Sequence, residues 1–422
     1  MSGSNTSSSL HATRRNRVVP RPGTELRRLL DGVAPVKSSV TIEGRSVPVF
    51  TAELWTSKQR QSLSIHEISY RACFKAQLPA FFIERLTQPG DVVYDPFSGR
   101  GTTIVQAGLS GRNVIGNDIN PLSTLLSRPR FFIPSRQIID TRLSEIPWSG
   151  LHKRDLDLSM FYHPQTESEI LSLRGYLSSR RQKQTEDEID EWIRMVATNR
   201  LSGHSKGFFS VYSLPPNQAV TPERQILINR KLNQNPEYRN TRELIVRKSK
   251  SLVRNLSPEN INSLRIAGQQ AMFLNDDARS TGSIPSETVQ LTVTSPPFLD
   301  IVNYSGDNWL RCWFNEVNDN EIASRITHAR TISNWSDVMG KVFIELFRIT
   351  RPGGWVVFEV GEVRKKSIRL EEYVVPLGTR AGFGCTGILI NAQTFTKTSN
   401  IWGVTNNTGG TNTNRIVIFQ KT

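Results

Sequence analysis

The chain has 422 residues, enough for one large domain carrying an insertion or for two domains. Its hydrophobic share of 37% is ordinary for a globular protein, and no apolar run approaches the roughly 18 residues that crossing a bilayer requires. Lysine and arginine outnumber aspartate and glutamate by 53 to 38, a net charge of +15 that draws the protein toward polyanions. The three cysteines, Cys73, Cys312 and Cys385, form no CxxC pair. That spacing indicates neither a zinc site nor a disulfide framework and suits a reducing cytoplasm.

Residues 1–25 are Ser-rich, carry Arg14, Arg15 and Arg17, and hold no acid before Glu25. They read as a disordered basic arm in preference to a transit peptide, and they contain no apolar signal core. Val40 and Ile42, then Val47 and Val49, alternate as a small strand pair would. The polar and basic stretch 55–61 is either a phosphate contact or a plain loop. From Phe74 to Leu86 apolar residues recur at helical spacing, and Pro89-Gly90 ends that helix. Val92 to Tyr94 is a short buried strand running into Asp95-Pro96-Phe97-Ser98-Gly99-Arg100-Gly101-Thr102-Thr103. A helix over Ile104 to Leu109 and a strand over Val114 to Gly116 follow, the strand ending in Asn117-Asp118-Ile119-Asn120-Pro121. This β-α-β order implies a parallel sheet.

Residues 130–265 interrupt the alternation with a polar, largely helical pattern, clearest from Glu186 to Val196. Nine basic residues and two acids lie between Arg224 and Arg254, which suggests a nucleic-acid surface over a merely solvated helix face. A core pattern returns at 268–275. A strand over Val289 to Val293 delivers Thr294-Ser295-Pro296-Pro297-Phe298. A helix over Trp335 to Ile349, a turn at Arg351 to Gly354, a strand over Trp355 to Val360 and a hairpin over 385–394 and 414–420 complete the chain.

The loop from Asp95 follows a strand and opens a helix, where glycines admit a ligand close to the backbone. Asp118 ends the next strand, as an acid that grips a ribose diol does. NAD is a competitor, but position 104 is Ile where GxGxxG needs glycine. Asp95 would repel a pyrophosphate and suits a cationic amino group, such as that of S-adenosylmethionine. Thr294 to Phe298 sits at a strand's carboxyl end, where open α/β sheets bind ligands. Consecutive prolines fix φ and supply no N–H groups. The Ser295 hydroxyl oxygen and a neighbouring carbonyl can each accept one N–H of an exocyclic base amine, aiming its lone pair at a methyl donor. Phe298 can stack on a base extruded from the duplex. That chemistry needs no metal.

At these two motifs the chain resembles the DNA amino-methyltransferases, the N6-adenine/N4-cytosine superfamily. The resemblance covers about 66–125 and 268–420. It implies a Rossmann-like α/β fold with a mostly parallel seven-stranded sheet, an antiparallel C-terminal hairpin and a largely helical insertion. The catalytic domain is then 26–129 with 266–422, and 130–265 is the insertion and candidate target-recognition region. S-adenosylmethionine is the implied cofactor, held by Phe74, Asp95, Phe97, Gly99, Gly101, Thr102, Thr103, Asp118, Ile119, Asn120, Asp277 and Thr294, with Asp276 nearly as good a choice as Asp277. Ser295, Pro296, Pro297 and Phe298 are the implied catalytic residues. The TSPP form points to N4 of cytosine in double-stranded DNA. A restriction–modification role with a cognate endonuclease, and a cytoplasmic, nucleoid-associated location in a bacterium or archaeon, follow from the same resemblance. Arg100 stands where the family carries a small residue, and the insertion precedes the third core strand where the closest family order places its recognition region after it. N6-adenine methylation, an RNA substrate and a catalytically silent DNA-binding subunit remain alternatives. A 5-methylcytosine enzyme is disfavoured because no Pro-Cys pair occurs.

Overall fold

The β-α-β unit read at residues 92–117 lies one strand in from an edge of a nine-stranded sheet in a computed structural model. The structure describes residues 29–33, 35–54, 62–71, 73–148, 155–214, 218–297, 304–325, 331–360, 362–363, 368–392 and 413–422. The basic arm, the stretch 55–61, Phe298 and the loop between the last two strands (393–412) lie outside them.

The strands are β1 (Val36–Ile42), β2 (Arg45–Ala52), β3 (Val92–Asp95), β4 (Asn113–Asn117), β5 (Met272–Leu274), β6 (Val289–Thr294), β7 (Thr350–Val360), β8 (Glu362–Val363), β9 (Ile368–Arg369), β10 (Gly384–Ala392) and β11 (Thr413–Gln420). The large sheet runs β1-β2-β10-β11-β7-β6-β3-β4-β5, while β8 and β9 pair separately. From β10 to β5 lie seven strands with β11 alone antiparallel to its neighbours. This is the expected Rossmann-like α/β arrangement, mostly parallel, with its antiparallel C-terminal hairpin. The pair β1 and β2, joined through Glu43 and Gly44 at φ 47° and 75°, extends it because β2 pairs in parallel with β10. Positive φ at both central residues matches the twist of a two-residue hairpin.

The helices are α1 (Gln77–Leu86), α2 (Thr102–Leu109), α3 (Leu122–Ser127), α4 (Arg136–Glu145), α5 (Pro164–Gln182), α6 (Glu188–Thr198), α7 (Pro222–Leu232), α8 (Thr241–Val253), α9 (Pro258–Gln270), α10 (Tyr304–Asn315), α11 (Asp319–Arg325), α12 (Ile332–Ile349) and α13 (Leu370–Arg380). Two expectations are corrected. The helix expected from Phe74 begins at Gln77. Pro79 then falls in the first turn, where its missing N–H removes no hydrogen bond; a start at Phe74 would put it in the helix interior. The turn expected at Arg351 to Gly354 lies inside β7, which continues through it with a register shift opposite Val289 to Leu291.

Chain order reverses at β3: β4 and β5 lie on one side, β6 and β7 on the other. Ligand crevices form outside the carboxyl ends of strands at such a switch point. The insertion between β4 and β5 is not a separately cored body. One apolar cluster joins Leu291 and Val293 of β6 to Phe131, Trp192, Leu244 and Leu264. The expected boundary at 265/266 falls within α9, a crossover helix packed on α2 through Gly108, Leu264 and Ala267. Within the insertion, buried Asp190 of α6 accepts hydrogen bonds from Arg142 of α4 and Arg180 of α5, and also closes a capping box with Asp187.

Asp190→Ala removes the buried acceptor that Arg142 and Arg180 share and leaves them Asp187, so stability in urea should fall by about 2 kcal/mol, as for a lost hydrogen bond to a charged group. Equilibrium unfolding followed by tryptophan fluorescence measures this.

Candidate active site at the β3–β6 junction

Parallel pairing sets Tyr94 opposite Thr292, so the carboxyl ends of β3 and β6 bring Asp95 to Thr294. The Thr294 hydroxyl donates to Asp95 Oδ1 at 2.6 Å, and the Phe97 N–H donates to the same oxygen at 3.1 Å. Thr103, at the start of α2, donates to the Val293 carbonyl at 3.1 Å. Asp95 is 2% exposed. Burial pushes its pKa up to about 7, against these hydrogen bonds, and nearby Asp118 adds repulsion.

Gly101 caps α2 at φ 76°. A Cβ there would stand 2.6 Å from Ser127 Cβ, so the loop needs glycine for both conformation and space. Arg100 has a structural task. Its guanidinium donates to the carbonyls of Ile68 at 2.7 Å and Phe74 at 3.3 Å, and its Nε donates to Thr102 Oγ1 at 3.1 Å. It thereby ties down the segment carrying Tyr70 and Phe74, both of which line a cavity over the loop. Buried Arg130 in turn donates to the Arg100 carbonyl.

At the end of β4, Asp118 accepts from the Gly99 N–H at 2.8 Å and the Asn120 N–H at 3.0 Å. Burial raises its pKa to about 6. Asn117 pairs with the Asp276 backbone through both its amide groups. The Asp277 carboxylate accepts from Arg279 Nε at 2.9 and 3.0 Å, which holds its pKa below the ordinary range. Asp276 and Asp277 both line the cavity.

Of the residues singled out from sequence, the cavity gathers Phe74, Asp95, Phe97, Gly99, Thr102, Asp118, Ile119, Asn120, Asp277, Ser295 and Pro297. Gly101, Thr103, Thr294 and Pro296 are not in its lining; the first three shape or hold those that are. Phe298 lies outside the described residues. The Pro297 carbonyl already accepts from Trp335 Nε1 at 3.0 Å, and Trp335 itself lines the cavity from α12.

Glu359 was not legible as a site residue. It is buried on β7, hydrogen-bonded to Ser295, and its pKa is raised by burial. Asn414 Nδ2 donates to it at 3.0 Å, Asn391 Nδ2 donates to Asn414 at 3.3 Å, and the Leu54 N–H donates to Asn391 at 3.0 Å. A lone acid in the apolar run Trp355 to Val360 is the local signal that could have found it.

Asp95 and Asp118 make the ligand-free protein sensitive to pH. A carboxyl with a raised folded pKa contributes stability that is complete below about pH 4 and is lost as pH rises through its folded value. The thermal midpoint of the ligand-free protein should therefore fall between pH 5 and about 7, and Asp95→Asn should flatten that fall in a calorimetric series.

The N6/N4 methylase family model, described as DNA methylase, matches residues 41–123, from the end of β1 through Asp118 and Asn120. The Type II methyltransferase M.MjaII of Methanocaldococcus jannaschii is 39% identical over 72 residues, 17% of this chain and 14% of that protein. The Type II methyltransferase M.BsoBI of Geobacillus stearothermophilus is 37% identical over 86 residues, 20% of this chain and 17% of that protein. The matched stretch thus spans less than a fifth of either relative's length. Among solved structures, a TehB-like SAM-dependent methyltransferase from Corynebacterium glutamicum aligns over 82% of this chain and 87% of its own at 8% identity, with a TM-score of 0.30. Over residues 41–123, which include the glycine loop after Asp95, the chain is thus similar to the DNA amino-methyltransferases.

Proposed function

We propose that this chain transfers a methyl group from S-adenosylmethionine to an exocyclic amine of double-stranded DNA, with N4 of cytosine as the target. The observation that carries the reading is that Ser295 and Asp95 line one cavity at the switch point. The residues present fit the cofactor. Asp95 is buried, with a raised pKa and no cation paired to it among the described residues, which suits the ammonium of a methionine moiety. Asp118 suits the ribose hydroxyls. Ile119, with Asp276 or Asp277, suits the adenine, and Phe74 can cover it. When bound, S-adenosylmethionine supplies an electrophilic methyl on a sulfonium.

The protein's own part is to hold the amine. An exocyclic amine is a weak nucleophile because its lone pair is delocalised into the ring. Glu359 orients the Ser295 hydroxyl, whose oxygen accepts one amine N–H. With the Pro297 carbonyl engaged by Trp335, the carbonyl of Ser295 or Pro296 accepts the other. Two acceptors draw the nitrogen toward a tetrahedral shape and aim its lone pair along the transfer direction, a catalysis by orientation and hydrogen bonding. Ser295 favours cytosine N4, although the same acceptor pair serves adenine N6. Target recognition is assigned to the insertion, and the physiological setting to a restriction–modification system with a cognate endonuclease.

Two experiments test this. Ser295→Ala should keep cofactor affinity within about twofold while lowering methyl transfer to genomic DNA by about 10² or more. Nucleoside mass spectrometry of the wild-type product should find 4-methylcytosine. Finding 6-methyladenine instead would move the target to the other amine, methylation of RNA alone would move the substrate, and bound cofactor without any product would make the chain a silent subunit. Cofactor affinity, measured by calorimetry, should weaken as pH falls through about 7, where Asp95 takes up its proton. Asp95→Asn should remove the step near 7 and keep the one near 6 that Asp118 contributes, whereas Asp118→Ala should weaken binding and keep the step near 7.

A further inference from the structure

The basic run from Arg224 to Arg254 divides into two parts. Its later cations have partners within the protein. Arg239 donates to the carbonyls of Ser205 and Phe208, Arg247 to Lys206 and buried Lys248 to Glu67. Arg254 pairs with the Glu67 carboxylate. Lys250 stays exposed on α8. Arg224, Arg230 and Lys231 of α7 are exposed, and their side chains have no hydrogen bond or ion pair among the described residues.

Helix α7 is also unusual in its packing. Of its eleven residues only Gln225 is buried, anchored by its amide to the Tyr212 carbonyl at 3.0 Å. Ile228 packs partly buried against the core, but the other three aliphatic side chains face solvent: Ile226 is 37% exposed, Leu227 52% and Leu232 49%. At helical spacing Leu227 lies at the centre of the outward face. Arg224 and Lys231 flank it on one side, and Arg230 and Ile226 on the other. Glu223 is the helix's one acid.

The start of α7 is tied to the active-site rim. The Ala219 N–H donates to the Asp307 carbonyl at 2.8 Å, and Trp309 Nε1 donates to the Val220 carbonyl at 3.0 Å. Asp307 pairs through its carboxylate with Arg71 at 2.5 Å, and Arg71 lines the cavity.

We infer that α7 is the element that lies against duplex DNA beside the extruded base, with Arg224, Arg230 and Lys231 on phosphates and Leu227 and Ile226 against base edges or an opened base step. This inference rests on the DNA-methyltransferase reading and names the surface that serves it. Charge complementarity selects the partner: three unpaired cations ring an aliphatic centre, as on a helix that meets a polyanion and then makes apolar contact in a groove. The rigid tie through Asp307 and Arg71 keeps that contact in register with the cavity.

The test uses the full chain and a short labelled duplex DNA of random sequence, with binding followed by anisotropy across a salt series. The triple variant Arg224→Ala/Arg230→Ala/Lys231→Ala should reduce the slope of log affinity against log salt by about 2.7, about 0.9 for each phosphate that is no longer neutralised. Ile226→Ser/Leu227→Ser should keep the slope and lower kcat/KM for genomic DNA about tenfold. Unchanged cofactor affinity in both variants controls for folding. An unaltered slope in the triple variant overturns the inference. So does a wild-type dimer that the Leu227 variant converts to monomer in light scattering, since α7 would then be a subunit interface. If the wild-type protein binds duplex through α7 yet methylates no nucleic acid, the methyltransferase reading fails while the surface stands.

Discussion

The hydrogen bond from Thr294 to Asp95 joins the ends of two neighbouring parallel strands that are 199 residues apart in sequence. Everything at the site depends on that adjacency. Asp95 opens the glycine loop and Ser295 follows Thr294, so one buried contact sets the distance between that loop and the Ser-Pro-Pro segment. A threonine hydroxyl is well suited to the position. It donates to a carboxylate that burial has made reluctant to ionise, and an unsatisfied buried carboxylate would cost more than the hydrogen bond returns. Thr103 adds a second tie, from α2 back to β6.

Around this junction the protein uses arginine as a backbone clamp. Arg100, Arg130 and Arg311, with Lys248, donate to carbonyls of Phe74, Ile65, Ser69 and Glu67. The segment they hold has little regular structure of its own, only a short 3-10 turn over Ser64–His66, so its carbonyls need external donors. Arg130 opens the insertion and Lys248 lies on its α8, whereas Arg100 follows β3 and Arg311 lies on α10, after β6. The insertion therefore does more than present a surface: it helps hold the segment from which Tyr70, Arg71 and Phe74 reach the cavity. That coupling explains why the insertion shares the core's apolar cluster and why α7 can be fixed relative to the chemistry.

The local elements of the catalytic core were legible because local signals set them. The apolar runs at 92–94, 114–116 and 289–293, the glycines after Asp95 and the proline pair after Ser295 each act within a few residues. Strand, loop and helix follow from propensity and φ restriction alone. The start of α1 was misjudged because the apolar period runs unbroken from Phe74 through Leu78 to Phe82. The overriding constraint is a single proline, Pro79, which the periodicity ignores.

The sequence by itself determined the fold class, the order of the core strands along the chain and the two motifs, since these depend on residue type and short spacing. Tertiary structure alone decided that Thr294, Thr103 and Gly101 support the cavity without lining it. It brought Glu359 to Ser295, and it divided one basic run into internal clamps and a solvent-facing helix. The reason is physical. Whether a hydroxyl, carboxylate or guanidinium meets a ligand, a carbonyl or water depends on which distant segment packs against it, and spacing along the chain carries no record of that.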